Sequence, residues 1–174
     1  MRILIYGAGV TGSLYAVLLK EAGYYTTIYA RGHRLEALQN QGFLYKKNNI
    51  IKKVDIKIID HLQDNDIYDF IFLTVRENQL YQALKELKSN KSKTIITMVN
   101  TLDNYEKWNC IVGKGKILPA FPGGGGTITN NILDAALTPK IIQPTTFSEI
   151  SGKKTKRTAL TNIEICAYTL PAGQ

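Results

Sequence analysis

An α/β chain built on a doubly wound parallel sheet is what this sequence predicts, on three observations. Arg2–Tyr6 is a short apolar run that leads directly into Gly7-Ala8-Gly9-Val10-Thr11-Gly12. A helical pattern follows to Gly23, and then a second β-rich run, Thr26–Ala30. Apolar β segments go on alternating with helical ones as far as Val99, which is the pattern of a sheet covered on both faces. Strand, G-x-G-x-x-G, helix, strand is the order that a dinucleotide site of the Rossmann type requires. In that reading Gly7 makes the tight turn, Gly9 lets the backbone approach a pyrophosphate, and Gly12 lets the helix pack close to the strand. Ala8, Val10 and Thr11 complete the loop, and free N–H groups at the helix start favour an anion there.

The end of the second strand indicates which dinucleotide. A site for NAD usually carries Asp or Glu about 20 residues beyond the glycines, to hold the ribose 2′-hydroxyl. This chain reads Tyr29-Ala30-Arg31-Gly32-His33-Arg34, with no carboxylate until Glu36. A guanidinium binds a 2′-phosphate through two parallel hydrogen bonds, where a carboxylate would repel it. The expected cofactor is therefore NADP, with Arg31 on the 2′-phosphate. Arg34 and His33 are either helpers in that role or the solvated first turn of the next helix.

The remaining elements follow by pattern. Thr11–Ala22 places Leu14, Val17, Leu18 and Ala22 on one helical face, and Gly23 is a natural C-cap. Arg34–Gln41 reads as a short helix closed by Gly42, and Asn48-Asn49 as the tip of a hairpin. Val54–Ile58 alternates as a strand with one wet face, before a polar connector over Asp60–Asp66. Tyr68–Val75 is apolar nearly throughout, as a buried parallel strand requires. A helix is expected over about Asn78–Leu87, and strands over Thr94–Val99 and Lys116–Phe121. Gly123–Gly126 is a glycine run suited either to close approach of an anion or to a flexible turn. Lys140–Ile142 and Thr145–Ile150 read as short strands. Thr155–Tyr168 reads as an amphipathic helix with Ala159, Leu160, Ile163, Cys166 and Ala167 on its apolar side. Ligands in such sheets bind at the carboxyl ends of the strands, so the loops Gly7–Gly12, Thr74–Gln79 and Asn100–Asn104 converge on one site.

Composition excludes several classes. The 174 residues suffice for one well-packed domain, and no run approaches the ~20 apolar residues of a membrane span. The N-terminal apolar run is too short for a signal-peptide core, so a cytoplasmic location is the default expectation. Cys110 and Cys166 lie far apart without metal-ligand spacing, and they read as reduced thiols rather than a metal site. The net charge of +8 gathers at Lys46, Lys47, Lys52, Lys53 and Lys57 and at Lys153, Lys154, Lys156 and Arg157. Neither group interleaves aromatic residues in a nucleic-acid motif. The first fits the polar side of edge strands, and the excess suits anionic cofactors and substrates.

Several of these segments together resemble the N-terminal domain of the ketopantoate reductase family. They are Ile3–Ser13, Ala30–Leu38, Leu73-Thr74-Val75-Arg76-Glu77-Asn78-Gln79, and Asn100 after the following strand. More loosely, Phe121–Gly126 is similar to a glycine-rich segment of some members. The resemblance implies an NADPH-dependent reductase that converts a 2-keto acid, ketopantoate, to pantoate in pantothenate synthesis. By motif position, Arg31 would hold the 2′-phosphate, Thr74, Arg76 and Gln79 would line the cofactor cleft, and Asn100 would lie near the nicotinamide and substrate. Two departures stand out. Arg76 replaces the family's usual Lys, and Asn100-Thr101-Leu102-Asp103 replaces Asn-Gly-x-Gly. The resemblance covers about the first half of the family pattern. It implies a dinucleotide-binding domain over residues 1–151, with 152–174 as linker and first helix of a truncated C-terminal helical domain. The family's catalytic lysine belongs to that helical domain, so no catalytic residue is assigned here. An exposed apolar face left by that domain would favour a homo-oligomer. The other reading of the same motifs is a non-catalytic NADP(H)-binding or sensing module.

Overall fold

The computed structural model describes residues 1–153 and 155–160, the last two by backbone alone. Strand β1 (Arg2–Tyr6) sits at the centre of the main sheet. On one side it pairs in parallel with β2 (Tyr25–Tyr29), which pairs with β5 (Lys57–Ile59). On the other side follow β6 (Phe70–Leu73), β7 (Ile95–Thr97) and β8 (Ile117–Phe121), all parallel. Short β11 (Thr146–Phe147) adds an antiparallel edge to β8. The order β5-β2-β1-β6-β7-β8-β11 reverses direction at β1, as a doubly wound fold does.

The alternation within β1 explains both cores. Ile3 and Ile5 point into one cluster, with Tyr15, Ala16, Val17 and Leu19 of α1 (Val10–Glu21) and Leu38 of α2 (Gly32–Gln41). Leu4 and Tyr6 point into the other, with Leu80, Ala83 and Leu84 of α3 (Glu77–Glu86) and Trp108 of α4 (Tyr105–Val112). Ile3, Leu4, Ile5, Ile71, Phe72 and Leu73 are essentially without solvent exposure, because helices cover both faces. Each such side chain contributes roughly 1.5–3 kcal/mol by leaving water.

A second sheet, of four strands, joins two hairpins. β3 (Phe43–Lys47) and β4 (Ile50–Val54) turn at Asn48-Asn49, and β9 (Gly124–Thr129) and β10 (Ile132–Leu137) turn at Asn130-Asn131. All four asparagines have positive φ, between 50° and 65°, the left-handed geometry of a two-residue hairpin turn. β3 and β10 then pair in parallel. Lys46 reaches Asp134 at 3.0 Å and Lys47 reaches Glu21 at 2.8 Å, so part of the lysine group is paired across this sheet and to α1.

Three expectations are corrected, and one helix is added. The strand read over Val54–Ile58 is divided: β4 ends at Val54 and β5 starts at Lys57, because the chain changes sheets between them and buries Ile56 there. The glycine run is not a flexible turn. Gly124–Gly126 form the first half of β9, lying against α1 and β10. Lys140–Ile142 is a turn, in which the Pro139 carbonyl accepts from the N–H of Ile142 at 2.8 Å, and Ile141 is fully exposed. Helix α4 was not foreseen. Its cues are local: the Asn104 side chain caps it by accepting from Glu106 N at 2.8 Å, and Gly113 ends it.

The expected helix over Thr155–Tyr168 begins as α5 (Lys156–Leu160), while Ile163, Cys166 and Ala167 lie outside the described residues. Arg157 clasps Glu149 and also donates to the Gly115 carbonyl at 2.6 Å. These bonds tie the start of α5 to the start of β8. Among the described residues no helix is long and apolar enough to cross a membrane, and no group of His, Cys, Asp and Glu could hold a metal ion.

Candidate cofactor site

The carboxyl ends of β2, β1, β6 and β7 are neighbours in the sheet, so the segments after them share one edge. The glycine loop lies at its middle. Gly7 follows β1 with φ +119°, a conformation that side chains disfavour, and donates to the Tyr29 carbonyl at 3.2 Å. A Cβ on Gly12 would stand 2.0 Å from the Gly7 carbonyl oxygen and 2.4 Å from Thr74 Oγ1. That contact leaves no room for anything but glycine. Thr74, at the end of β6, donates its hydroxyl to the Gly7 carbonyl at 3.0 Å and locks the loop from the neighbouring strand.

Gly9 is the opposite case. It is exposed, and a Cβ built on it meets nothing within 4 Å. No side chain caps α1 at this position. Val10 and Thr11 are half-buried in its first turn, while Ala8 is buried and accepts from Ser13 Oγ at 3.2 Å. A bare helix start with open space before it fits a phosphate group.

Arg31 precedes α2 and folds back over the sheet edge. Its guanidinium lies over the Tyr29 ring, 4.9 Å from the centroid. Nε donates to Tyr29 Oη at 2.6 Å, and Nη2 donates to Tyr6 Oη at 3.1 Å and to the Glu86 carboxylate. The two tyrosine rings stack at 4.3 Å, and both hydroxyls donate to Glu86. Burial and the hydrogen bond to Glu86 push the Tyr6 phenol far above its ordinary range. Partial burial acts to raise the Glu86 pKa, but the bonds from Tyr6 and Arg31 outweigh it and hold the carboxyl below its ordinary value. Arg31 is likewise held in its charged form by Glu86 and Tyr29 against the effect of burial.

Arg34 is not part of a solvated first turn. It is half-buried, donates Nε to the Ala8 carbonyl at 3.2 Å and Nη1 to the Asn131 carbonyl at 3.4 Å, and so bridges the glycine loop and the β9–β10 turn. Burial lowers its pKa, and its buried Nη2 has no hydrogen-bond partner among the described residues. His33 is exposed beside Glu36. Arg76 and Gln79 meet at the start of α3, where the Gln79 side-chain oxygen accepts from Arg76 N at 3.4 Å, and both are exposed. Asn100, after β7, is exposed too. The residues that follow it are fixed by side chains. Thr101 donates to Glu77 at 2.6 Å, and Asp103 accepts from Tyr81, from Trp108 Nε1 at 3.1 Å and from Asn104 N at 2.8 Å. Those donors, Tyr81 first, hold the Asp103 pKa down to about 2.

The structure thus packs Gly7, Gly12 and Thr74 together and aligns Arg31, Arg76, Gln79 and Asn100 along the same edge. Sequence reasoning missed Tyr6, Tyr29 and Glu86. The tyrosines carried a usable signal, since each ends one of two adjacent parallel strands in register. Glu86, on α3, carried none.

Fold and loop define a Rossmann-type dinucleotide-binding protein. The profile of one family, Ketopantoate reductase PanE/ApbA, matches residues 3–130, and the chain belongs to that family. The 2-dehydropantoate 2-reductase of Archaeoglobus fulgidus is 31% identical over 105 residues, which are 60% of this chain and 34% of that protein. The crystal structure of the 2-dehydropantoate 2-reductase from Geobacter metallireducens superposes with a TM-score of 0.80 at 17% identity, covering 98% of this chain and 56% of that one. D-mandelate dehydrogenase, solved with NADH and anilino(oxo)acetate, superposes with a TM-score of 0.74 at 16% identity, covering 97% and 55%. The two structures establish the shared fold. The chain spans little more than half of their length, and its match about a third of the Archaeoglobus protein.

Proposed function

We propose that this chain is the NADP(H)-binding half of a reductase acting on a 2-keto acid, ketopantoate or a close relative. The observation that carries the reading is the open space at Gly9, before an uncapped helix start, in a loop that Gly12 and Thr74 hold rigid. In this reading Gly7, Ala8, Gly9, Val10, Thr11 and Gly12 cradle the pyrophosphate and Arg31 meets the 2′-phosphate. Thr74, Arg76 and Gln79 line the cleft, and Asn100 faces the nicotinamide end. Residues 1–151 act as the dinucleotide-binding domain, and 152–174 begin the approach to a substrate domain. The bound nicotinamide supplies hydride chemistry, and the protein orients it. No general acid is assigned among the described residues.

Titration with NADPH and NADH tests the cofactor. NADPH should bind more tightly, and Arg31→Ala should remove most of the difference, about 1.5–3 kcal/mol for a charge-assisted contact. Equal affinities in the unmodified chain would refute the NADP assignment. Assaying NADPH oxidation with ketopantoate and branched 2-keto acids tests the reaction. The 174-residue chain by itself should be near background, since a positioned proton donor is worth about 10²–10⁴-fold. Robust turnover would mean that a group at the carboxyl edge of the sheet acts as the acid; Lys114 and Lys116 precede β8 and lie at the opposite edge, where Lys116 donates to the Asn90 carbonyl at 2.7 Å.

One observation favours the second reading, a non-catalytic NADP(H)-sensing module. Thr101 and Asp103 stand where the family has bare glycines and are tied down to α3 and α4. A fusion of this chain to the remaining part of a family member distinguishes the readings: cofactor binding without turnover of any 2-keto acid supports the module.

A further inference from the structure

The Arg31 cluster has the composition of an anion seat and already holds an anion. The Glu86 carboxylate accepts from the Arg31 guanidinium, from the Tyr6 and Tyr29 hydroxyls, and from Gln82 Nε2 at 3.0 Å. A guanidinium with convergent hydroxyl donors is also what a phosphate monoester requires. The seat lies at the ends of β1 and β2, next to Gly7 and beside the expected ribose position. It is open to solvent: the Arg31 side chain is 50% exposed and that of Glu86 28%. The tyrosines beneath it are nearly fully buried and stacked, so the floor is rigid while the arginine and the acid can move.

We propose that Glu86 occupies the seat of the cofactor's 2′-phosphate in the cofactor-free chain and thereby sets how strongly the site prefers a phosphorylated cofactor. The proposal rests on the reading of Arg31 as the 2′-phosphate residue. A 2′-phosphate must either displace Glu86 from Arg31 or bind beside its negative charge, and both cost affinity. NADH, which has a hydroxyl at that position, meets no such competition. Glu86 is thus a specificity residue that weakens NADPH binding and restrains the preference that Arg31 alone would give.

The experiment measures dissociation constants for NADPH, NADH, adenosine 2′,5′-bisphosphate and AMP with the unmodified chain, Glu86→Gln, Arg31→Ala and the double variant. Glu86→Gln should tighten NADPH and the bisphosphate roughly three- to tenfold, in keeping with a partly exposed ion pair. NADH and AMP should change less than twofold. In the Arg31→Ala background the gain should vanish, which a merely structural role for Glu86 would not produce. Unchanged or weakened NADPH binding in Glu86→Gln, with Arg31→Ala still abolishing the NADPH preference, overturns this proposal and leaves the Arg31 reading intact. No effect of Arg31→Ala on any of the four ligands overturns that reading itself. Glu86→Ala provides a second test of the same charge, and thermal unfolding of each variant separates loss of fold from loss of binding.

Discussion

Gly7–Gly12 and Gly123–Gly126 are the two glycine-rich segments of this chain, and they use glycine for different ends. In the first, Gly12 is closed in by backbone while Gly9 opens on empty space. In the second, a Cβ on Gly123 would stand 2.4 Å from the Gln143 carbonyl, one on Gly124 2.9 Å from Leu14 Cδ2, and one on Gly126 2.2 Å from the Asp134 carbonyl. Three of those four positions are filled by the protein itself. The run allows β9 to lie between α1, β10 and the segment after Pro139, and the remaining glycine, Gly125, opens outward from a strand ladder. What separates the two is where the open glycine sits: Gly9 precedes an uncapped helix start, whereas Gly125 lies within a regular strand pair.

The largest effect expected from this contrast is at Gly12. Gly12→Ala forces a methyl group into the Gly7 carbonyl and Thr74, and backbone cannot yield there as a flexible side chain can. Overpacking of this kind should cost roughly 3 kcal/mol, read as a large fall in Tm. A variant as stable as the parent would mean that the loop is looser than its contacts indicate.

Gly9→Val comes next and should separate binding from folding. The backbone at Gly9 is extended, with φ −73° and ψ −173°, which valine adopts readily. Replacing glycine by a poor N-cap residue should cost about 1 kcal/mol of stability. NADPH binding should fall by about 100-fold or more, because hydrogen bonds to a charged phosphate are worth about 1.5–3 kcal/mol each. Normal binding by the folded variant would reduce the loop to a structural turn.

The same contrast shows how far the sequence could be read. The order of β1, the glycine loop, α1 and β2 was legible because local pattern and local structure coincide there. Asn48-Asn49 marked a hairpin, but the identical signal at Asn130-Asn131 was obscured by the glycines before it, which suggested a loop where a strand forms. Ile141 and Ile142 carry strand propensity, yet Pro139 starts a turn and leaves both exposed. The positions of the expected site residues along one sheet edge followed from topology. The anion held by Arg31 did not, since Glu86 lies 55 residues away on another element. Contacts of that range leave no periodicity to read.

A third segment on the site edge uses neither open nor closed glycine, and its expected effect is smaller. Residues Asn100–Asn104 are anchored through Asp103, whose pKa stands at about 2 against an ordinary 3.8. A depressed carboxyl pKa stabilises the folded form above the ordinary value, and the contribution is lost as the pH falls through about 2. Trp108, the chain's single tryptophan, is buried and donates to Asp103, so its fluorescence reports the event. A fluorescence transition near pH 2 is expected in the unmodified chain, and Asp103→Asn should lack it. Identical acid profiles for the two proteins would show that the carboxylate does not hold the loop.

The smallest effect is expected at Gly125, and it tests the contrast most sharply. Gly125 is exposed, lies opposite Ala136 in the β9–β10 ladder, and a Cβ there meets nothing within 4 Å. In this it matches Gly9, yet it sits within a regular antiparallel pair rather than before a helix start. Alanine restricts the unfolded chain more than glycine does and suits a strand better. Gly125→Ala should therefore be neutral or stabilise the protein by up to about 0.5 kcal/mol. NADPH affinity should stay within twofold of the parent, because the position belongs to a regular strand pair and a Cβ there meets nothing within 4 Å. A clear loss of NADPH binding with stability retained would break the comparison. It would assign part of the anion contact to the second sheet, and Arg34, which links the Ala8 carbonyl to the β9–β10 turn, would be the next residue to substitute.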